Sequence, residues 1–500
     1  MVPAARDRTQ IVLRCDPLDD ALRPPPDETS SERDVRVARE EEASRISQAI
    51  DASIKAEKQA RKKQRIVRLL LLGQSESGKS TTLRQFQRLY TPTAFREERI
   101  LWRAVIQLNI VRSIRIILDT IAAPPRRASD SDVDSDDDLV PHHAHARSRS
   151  HPSSLDALRT RLQPLRHIEA LLIAKLVPPN EDEATHLVSP HQQFRNQEIF
   201  VRPGAAWKGA LARARIGHHN QNSVGSAEEA IQSGPGRPTS AGTTGLETQD
   251  EPQKVLHQCR RDMVLLWNDD VVREILVRKK VRLEELPGFF LNDLERVTSL
   301  RYMPTDDDVL KARLKTVGVS EYKFEMEVTA GRDSGTEWRI VDVGGSRSQR
   351  PTWAPFFDDV DAIIFLAPIS GFDQVLAEDK SINRLEDSVL LWKAVCSNKL
   401  LANVDLVLFL NKCDILDKKL RAGVKLSRYV KSYGDRGNDL DTVTKYLRGK
   451  FSAIHREYSP NPRKFYAFLT SVTDTATTAG IIASVRDMVI RQHLKQSKLL

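Results

Sequence analysis

Arg65–Phe86 reads RIVRLLLLGQSESGKSTTLRQF. The apolar run stops at Gly73, which predicts a short strand buried in a sheet, and a helix-period run follows the motif. Between them, Gly73–Ser80 fits G-x-x-x-x-G-K-[ST], and strand before, helix after is the setting that pattern needs. In such a loop, successive backbone N–H groups and the helix dipole converge on phosphate oxygens. Gly78 keeps the backbone open, Lys79 neutralises β- and γ-phosphate charge, and Ser80 offers a hydroxyl to Mg2+, a hard cation that takes oxygen ligands. The stretch predicts a nucleoside-triphosphate site.

The base is read at a second place. NKCD, Asn411–Asp414, ends the apolar run DLVLFLNK (405–412), and ligands of open α/β sheets sit at strand ends. The Asp414 carboxylate can accept from both the ring N–H and the exocyclic amine of guanine, whereas adenine presents an acceptor and no amine there. The stem of Lys412 can pack on the ring, and TSVT (470–473) offers a backbone N–H at Val472. GTP and GDP are therefore the expected ligands, and a P-loop ATPase or kinase is disfavoured.

Outward from these two motifs the chain alternates. YKFEMEV (322–328), EWRIVDVGG (337–345), AIIFLAPI (362–369) and KFYAFLTSV (464–472) join the two runs already quoted to make six strands. Helical stretches lie between the later ones, the pattern of a doubly wound α/β sheet. Ile, Leu and Val at helical spacing from Ile100 to Ile121, with DMVLLWNDDVVREIL (262–276) and FFLNDLERV (289–297), predict an all-helical segment inserted after the first helix. The domain reading is a polar, disordered N-terminus at 1–30, a helix over 31–65, an α/β domain over 66–90 and 306–500, and a helical domain over 91–305. Within the last, 124–254 holds PPRRASDSDVDSDDD (124–138), His142, His143 and His145, and a Ser/Gly/Pro/Thr-rich stretch. It reads as a mostly disordered insertion around a short helical piece, Leu155–Leu176, and as removable without loss of nucleotide binding.

Composition sets the outer bounds. Five hundred residues exceed one core, and the net charge of +9 is too mild to argue for nucleic acid. An aromatic share of 6% supplies few stacking platforms, which weighs the same way. Cys15, Cys259, Cys396 and Cys413 have no metal-binding spacing and form no disulfide framework, which favours a reducing compartment. No apolar run nears the roughly 18–20 residues of a spanning helix, so a soluble, cytoplasmic chain is expected. The helix over 31–65 carries a thin apolar stripe, Ile46, Ile50 and Ile54, and is a shape that usually needs a partner surface.

DVLKARLKTVGV (308–319), DVGG (342–345), LAEDKSINRLEDS (376–388), FLNKCD (409–414) and TSVTDT (470–475) together resemble the α subunit of heterotrimeric G proteins. That resemblance implies a Ras-like six-stranded P-loop GTPase domain with an inserted helical domain. It implies Arg313 as the cis arginine that stabilises charge on the transferring phosphoryl group. Thr316 matches the switch I threonine that ligates magnesium, Asp342 the acid that holds it through water, and Gly345 the glycine that senses the γ-phosphate. Glu76, Ser77, Thr81, Leu310, Lys311 and Asp293 match positions beside the nucleotide. It further implies a βγ dimer, a G protein-coupled receptor read through the C-terminal HLKQSKLL, and an effector left unidentified.

Departures from the family pattern are equally definite. GAGES reads GQSES, so Ser75 stands beside the γ-phosphate, and DVGGQ reads DVGGS, so Ser346 holds the catalytic glutamine position. A glutamine carboxamide can both donate and accept to position the attacking water, and a serine hydroxyl is several ångströms shorter and should not reach. Gln349 lies three residues on, but Arg350 and Trp353 keep the family's register, so it is not read as a substitute. Pro351 replaces a basic residue in the switch II helix and removes a donor on the βγ-facing side. Val2 excludes N-myristoylation, Cys15 is far from the usual palmitoylation place, and Ser497 replaces a cysteine some members carry. Peripheral membrane association would rest on the basic helix meeting an anionic surface. The expectation is a GTP/GDP switch that hydrolyses slowly; the alternative is a GTP-binding interaction module with little or no hydrolysis.

Overall fold

The computed structural model describes residues 29–63, 66–122, 152–176, 200–201, 250–316, 318–325, 337–358, 360–471 and 474–496. The readings of Val2, Cys15, the acidic run, the three histidines, Val472 and Ser497 fall outside these residues. The chain divides into two units that meet at Ile66.

The described residues of the first unit, 29–63, hold one helix, α1 (Ser30–Lys63). Thr29 and Glu32 cap it reciprocally: Thr29 N–H donates to Glu32 Oε2 at 3.0 Å, and Glu32 N–H donates to Thr29 Oγ1 at 3.4 Å. Arg36–Glu40 and Arg45–Glu42 pairs, both at 2.8 Å, run along its surface. Ile46, Ile50 and Ile54 are exposed.

The second unit is built on a sheet of β1 (Ile66–Leu72), β2 (Val319–Glu325), β3 (Glu337–Val343), β4 (Ala362–Pro368), β5 (Asp405–Asn411) and β6 (Phe465–Thr470), in the order β2-β3-β1-β4-β5-β6. Only β2 runs antiparallel, pairing Ser320 with Asp342; the rest are parallel, as in Leu69 with Ile340 and Ile364 with Val407. Parallel strands need helical crossovers, so both sheet faces are covered and both must be apolar. Leu70, Leu72, Ile363, Phe365 and Leu408 accordingly enter one core, while Leu69, Leu71, Ile364, Leu366 and Phe409 enter the other. The side of Leu69 is closed by α2 (Lys79–Tyr90), through Leu83 and Phe86.

Between β1 and β2 lies the helical lobe: α3 (Trp102–Ala122), α4 (Pro152–Arg161), α5 (Pro164–Leu176), α6 (Glu251–Asn268), α7 (Asp270–Arg278) and the short α8 (Asp306–Lys311). One apolar cluster joins Val105, Ile114, Leu172, Leu256 and Met263 across α3, α5 and α6. Later in the chain, α9 (Arg384–Ser397), α10 (Cys413–Arg421) and α11 (Leu440–Tyr458) cover the Leu70 face, and α12 (Thr475–Gln496) joins α2 on the other. No helix among the described residues is long and apolar enough to cross a membrane.

Three expectations change. The helical piece in the insertion is two helices, divided before Pro164, and Leu165, Ile168, Leu172 and Leu176 are core residues, so removing 124–254 as one block would take away part of the lobe's core. Phe200–Val201, also inside that range, pairs in parallel with Lys315–Thr316. The helical pattern read from 262 already starts at Glu251 and breaks at Asp269, whose side chain accepts from Val272 N–H at 3.0 Å and caps α7. Switch II, Arg347–Phe356, winds as a 3-10 helix containing Pro351 and Pro355, two residues that cannot donate to an α-helical ladder.

Leu172 is fully buried. Leu172→Ala should therefore cost about 2–5 kcal/mol of stability, the usual range for emptying a core leucine site. A chemical denaturation midpoint indistinguishable from wild type would show that α5 does not hold the lobe together.

Candidate nucleotide site

The end of β1, the start of α2 and the ends of β3 and β5 converge on a cleft of about 450 Å3, walled on its far side by the helical lobe. Gly78, at φ 106°, caps α2 and turns the chain into the helix. Lys79 is buried and folds back to donate to the carbonyls of Gly73 and Gln74 at 2.8 and 2.9 Å. Burial pushes its pKa down to about 8, against the opposing pull of Asp342. Gly345 packs so close that a Cβ there would lie 2.5 Å from Lys79 Nζ and from the Gln74 carbonyl carbon. Any side chain at 345 would push switch II off the phosphate loop.

Ser80, Thr316 and Asp342 meet as the sequence anticipates. Ser80 Oγ donates to Asp342 Oδ2 at 2.6 Å and lies 2.9 Å from Thr316 Oγ1. Asp342 Oδ1 is buried without a hydrogen-bond partner, and burial raises the carboxyl's pKa. Two hydroxyls and a carboxylate with a spare oxygen form a donor set suited to a hard cation with several waters. The described residues contain no cluster of three or more His, Cys, Asp or Glu side chains that would compete for a softer metal.

Arg313 reaches across the loop to Glu76, 2.6 Å between NH2 and Oε1. Glu76 stands in left-handed backbone, φ 60°, and Arg384 contacts its other oxygen at 3.2 Å. Burial would raise the Glu76 pKa, but Arg313, Arg384 and Lys412 together hold it below the ordinary carboxylate range. Arg384 also donates to the Ser75 carbonyl at 3.1 Å. Sequence reading missed Arg384 and Gln74: the Gln74 side chain is fully buried and donates to the Arg384 carbonyl at 2.8 Å and to Ser388 Oγ, tying the loop to α9.

At the base end, Asn411 Nδ2 donates to the Ser77 carbonyl at 2.7 Å, and Thr470 donates to Asn411 Oδ1 at 3.1 Å. Asn411 thus works as a strut between base loop and phosphate loop. Lys412 sits in left-handed backbone, φ 65°, with burial lowering its pKa to about 8. Asp414 lies in the first turn of α10 and lines the cleft with Ser471. Ser77, Thr81, Asp293, Leu310 and Lys311 line it too. Ser346 does not; its Oγ lies 3.4 Å from Ser348 Oγ on an exposed turn. Gln349 folds over Gly344 and is likewise absent from the lining.

The two lobes are latched beside the cleft. Lys419 Nζ lies 2.6 Å from Asp373 and 2.7 Å from Glu285 of the helical lobe, and Arg282 also pairs with Asp373.

A family model described as G-protein alpha subunit matches residues 44–489. The chain belongs to the G-protein α-subunit family. It is 31% identical to the guanine nucleotide-binding protein alpha-4 subunit of Mycosarcoma maydis, over 97% of this chain and 96% of that protein. It is 28% identical to the alpha-2 subunit of Neurospora crassa, over 91% and 96%. It is 25% identical to the alpha-1 subunit of Saccharomyces cerevisiae, over 90% and 95%. As a G-protein α subunit it is a guanine-nucleotide-binding signalling switch in a family of GTPases.

Asp414→Asn removes an acceptor for guanine's paired donors and should weaken GTP by about 1–3 kcal/mol, the cost of leaving buried donors unmatched. Competition with xanthosine and adenosine nucleotides checks the assignment. Full GTP affinity with unchanged discrimination would place the base elsewhere.

Proposed function

We propose that this α subunit is a slow GTPase, built to bind GTP firmly and to hold the GTP-bound state. The carrying observation is Ser346, which stands at the water-positioning place and does not line the cleft.

In this reading Asp414 selects guanine, and Asn411 and Lys412 hold the base loop in place. Lys79 and the N–H groups leading into α2 bind the β- and γ-phosphates. Ser80 and Thr316 would ligate a magnesium ion and Asp342 would hold it through water; bound there, such an ion would supply charge neutralisation for the phosphates. Arg313 leaves Glu76 to meet charge developing on the transferring phosphoryl group. Gly345 reports the γ-phosphate to switch II, and release of that phosphate frees both switches. The missing part is a group that orients water for in-line attack, and Ser75 adds a side chain beside the reacting phosphate. Positioning and charge stabilisation are separate contributions, so keeping Arg313 does not offset the loss.

The partners that follow are a βγ dimer on switch II and α1, a receptor at the C-terminus and a GTP-state effector, with peripheral membrane association through the basic helix. Ser75 and Ser346 together also favour a second reading, a GTP-binding interaction module that turns over too slowly to reset itself.

Single-turnover hydrolysis beside nucleotide exchange decides between them. Ser346→Gln should raise the hydrolysis step by about tenfold or more, a barrier change of about 1.4 kcal/mol. A wild-type rate already equal to that of ordinary family members would sink the proposal of slow turnover. Hydrolysis at background in both proteins would leave the interaction module.

A further inference from the structure

We infer that Asn109, on helix α3 of the helical lobe, is a positioning residue for the reaction, holding the backbone of Arg313 so that only its side chain moves. The inference rests on the assignment of Arg313 made above.

The contact is reciprocal. Arg313 N–H donates to Asn109 Oδ1 at 2.8 Å, and Asn109 Nδ2 donates to the Arg313 carbonyl at 2.9 Å. One carboxamide therefore satisfies both backbone groups of the arginine, as a neighbouring strand would. Asn109 is 8% exposed, so little water is at hand to replace it. The fit is tight around it: a Cβ on Gly288 would lie 2.8 Å from Asn109 Oδ1 and 2.9 Å from Arg313 Cβ, and Gly288 has φ +82°. Its own N–H donates to the Lys311 carbonyl at 3.0 Å.

The preceding residues are held from the other lobe. Arg84 of α2, buried over the Trp102 ring at 4.5 Å, donates to the carbonyls of Val309 and Leu310 and, at 2.8 Å, of Ala312. The carbonyls from Val309 to Arg313 are thus each engaged, and the chain passes between two fixed points, Arg84 and Asn109. What stays adjustable is the Arg313 guanidinium, parked on Glu76. A cation that must meet charge as it forms works only if its position is prepared in advance, and an error of about 1 Å can cost 100-fold in rate. Asn109 places that preparation in the helical lobe.

A double-mutant cycle tests this with the full chain. Single-turnover GTP hydrolysis, GTP affinity and thermal stability are measured for Arg313→Ala, Asn109→Ala and the double variant. Arg313→Ala should lower hydrolysis by about tenfold or more, and Asn109→Ala by about fivefold or more, with GTP affinity within about threefold of wild type. The double variant should be no slower than Arg313→Ala, because Asn109 has nothing left to position. Should Asn109→Ala fail to fold, Asn109→Asp keeps size and the acceptor, loses the donor, and enters the same cycle. A full rate in the Asn109 variant beside a slow Arg313→Ala overturns the role of Asn109 alone, and so does a multiplicative loss in the double variant. A full rate in Arg313→Ala overturns the catalytic assignment itself, whatever Asn109 shows.

Discussion

Lys79 carries an ammonium into a place that Gly73, Gln74, Asp342 and Gly345 enclose. An unpaired cation buried there would be costly, and the loop's own carbonyls meet that need only if its backbone keeps one shape. Much of the surrounding architecture reads as support for that shape. Asn411 reaches Ser77 from the end of β5, Gln74 reaches α9, and Arg384 returns from α9 to Ser75. The loop's fold is therefore set by contacts from strands and helices more than 300 residues away in sequence. The same enclosure leaves Gly345 so close to Lys79 that not even a Cβ would fit between them.

How much of this was legible from residues alone depends on how far apart the interacting atoms lie. Strands β1, β4 and β5 announce themselves because a parallel sheet covered on both faces needs unbroken apolar runs, and Leu69–Leu72 or Ala362–Ala367 can hardly be anything else. Lys79, Ser80 and Asp414 were legible because their spacing within a loop is the chemistry. Asn109 was not. It is one of several polar residues on α3, its partner is the backbone of a residue 204 positions on, and a backbone atom leaves no mark in a sequence. Gln74 and Arg384 were hidden for the same reason. The insertion was read in part: the helical piece at Leu155–Leu176 stands out between polar flanks, but that Leu165, Ile168, Leu172 and Leu176 enter the lobe's core depends on partners in α3 and α6 far along the chain.

The helical lobe contributes more than a lid. Asp308 receives Arg296 through two bonds of 2.7 and 2.8 Å and Tyr302 OH at 2.9 Å, and it closes a capping box with Thr305 at the start of α8. Those bonds outweigh burial and bring the Asp308 pKa down to about 2, so this carboxylate keeps its charge into acid. With Arg84 and Asn109 downstream, the path from Thr305 to Arg313 is held at short intervals. Beyond Arg313 the chain enters the Lys315–Thr316 pairing and the Thr316 hydroxyl that faces Ser80. The backbone is thus held by side chains up to Arg313 and by strand pairing at Lys315–Thr316.

The same cleft has to supply two properties. On the proposed reading, affinity for a guanine nucleotide would draw on Asp414, Asn411, Lys412 and Lys79, at the end of β5 and the starts of α10 and α2. Turnover draws on atoms that must be correct only at the moment of transfer, and these lie on the two switches. On switch I the arginine is present and its backbone is anchored. On switch II the residue that follows the sensing glycine is a serine on an exposed turn, and the segment behind it is wound around two prolines. A 3-10 turn of that composition offers fewer ladder bonds to recruit when the γ-phosphate arrives, so its ordering leans on side-chain contacts instead. Two of these are strong: Arg350 pairs with buried Asp387 at 2.6 Å, and the Trp353 ring donates to the Gly344 carbonyl at 3.0 Å. Neither contact involves residue 346, which leaves the register of switch II intact while the chemistry at that one position is free to change.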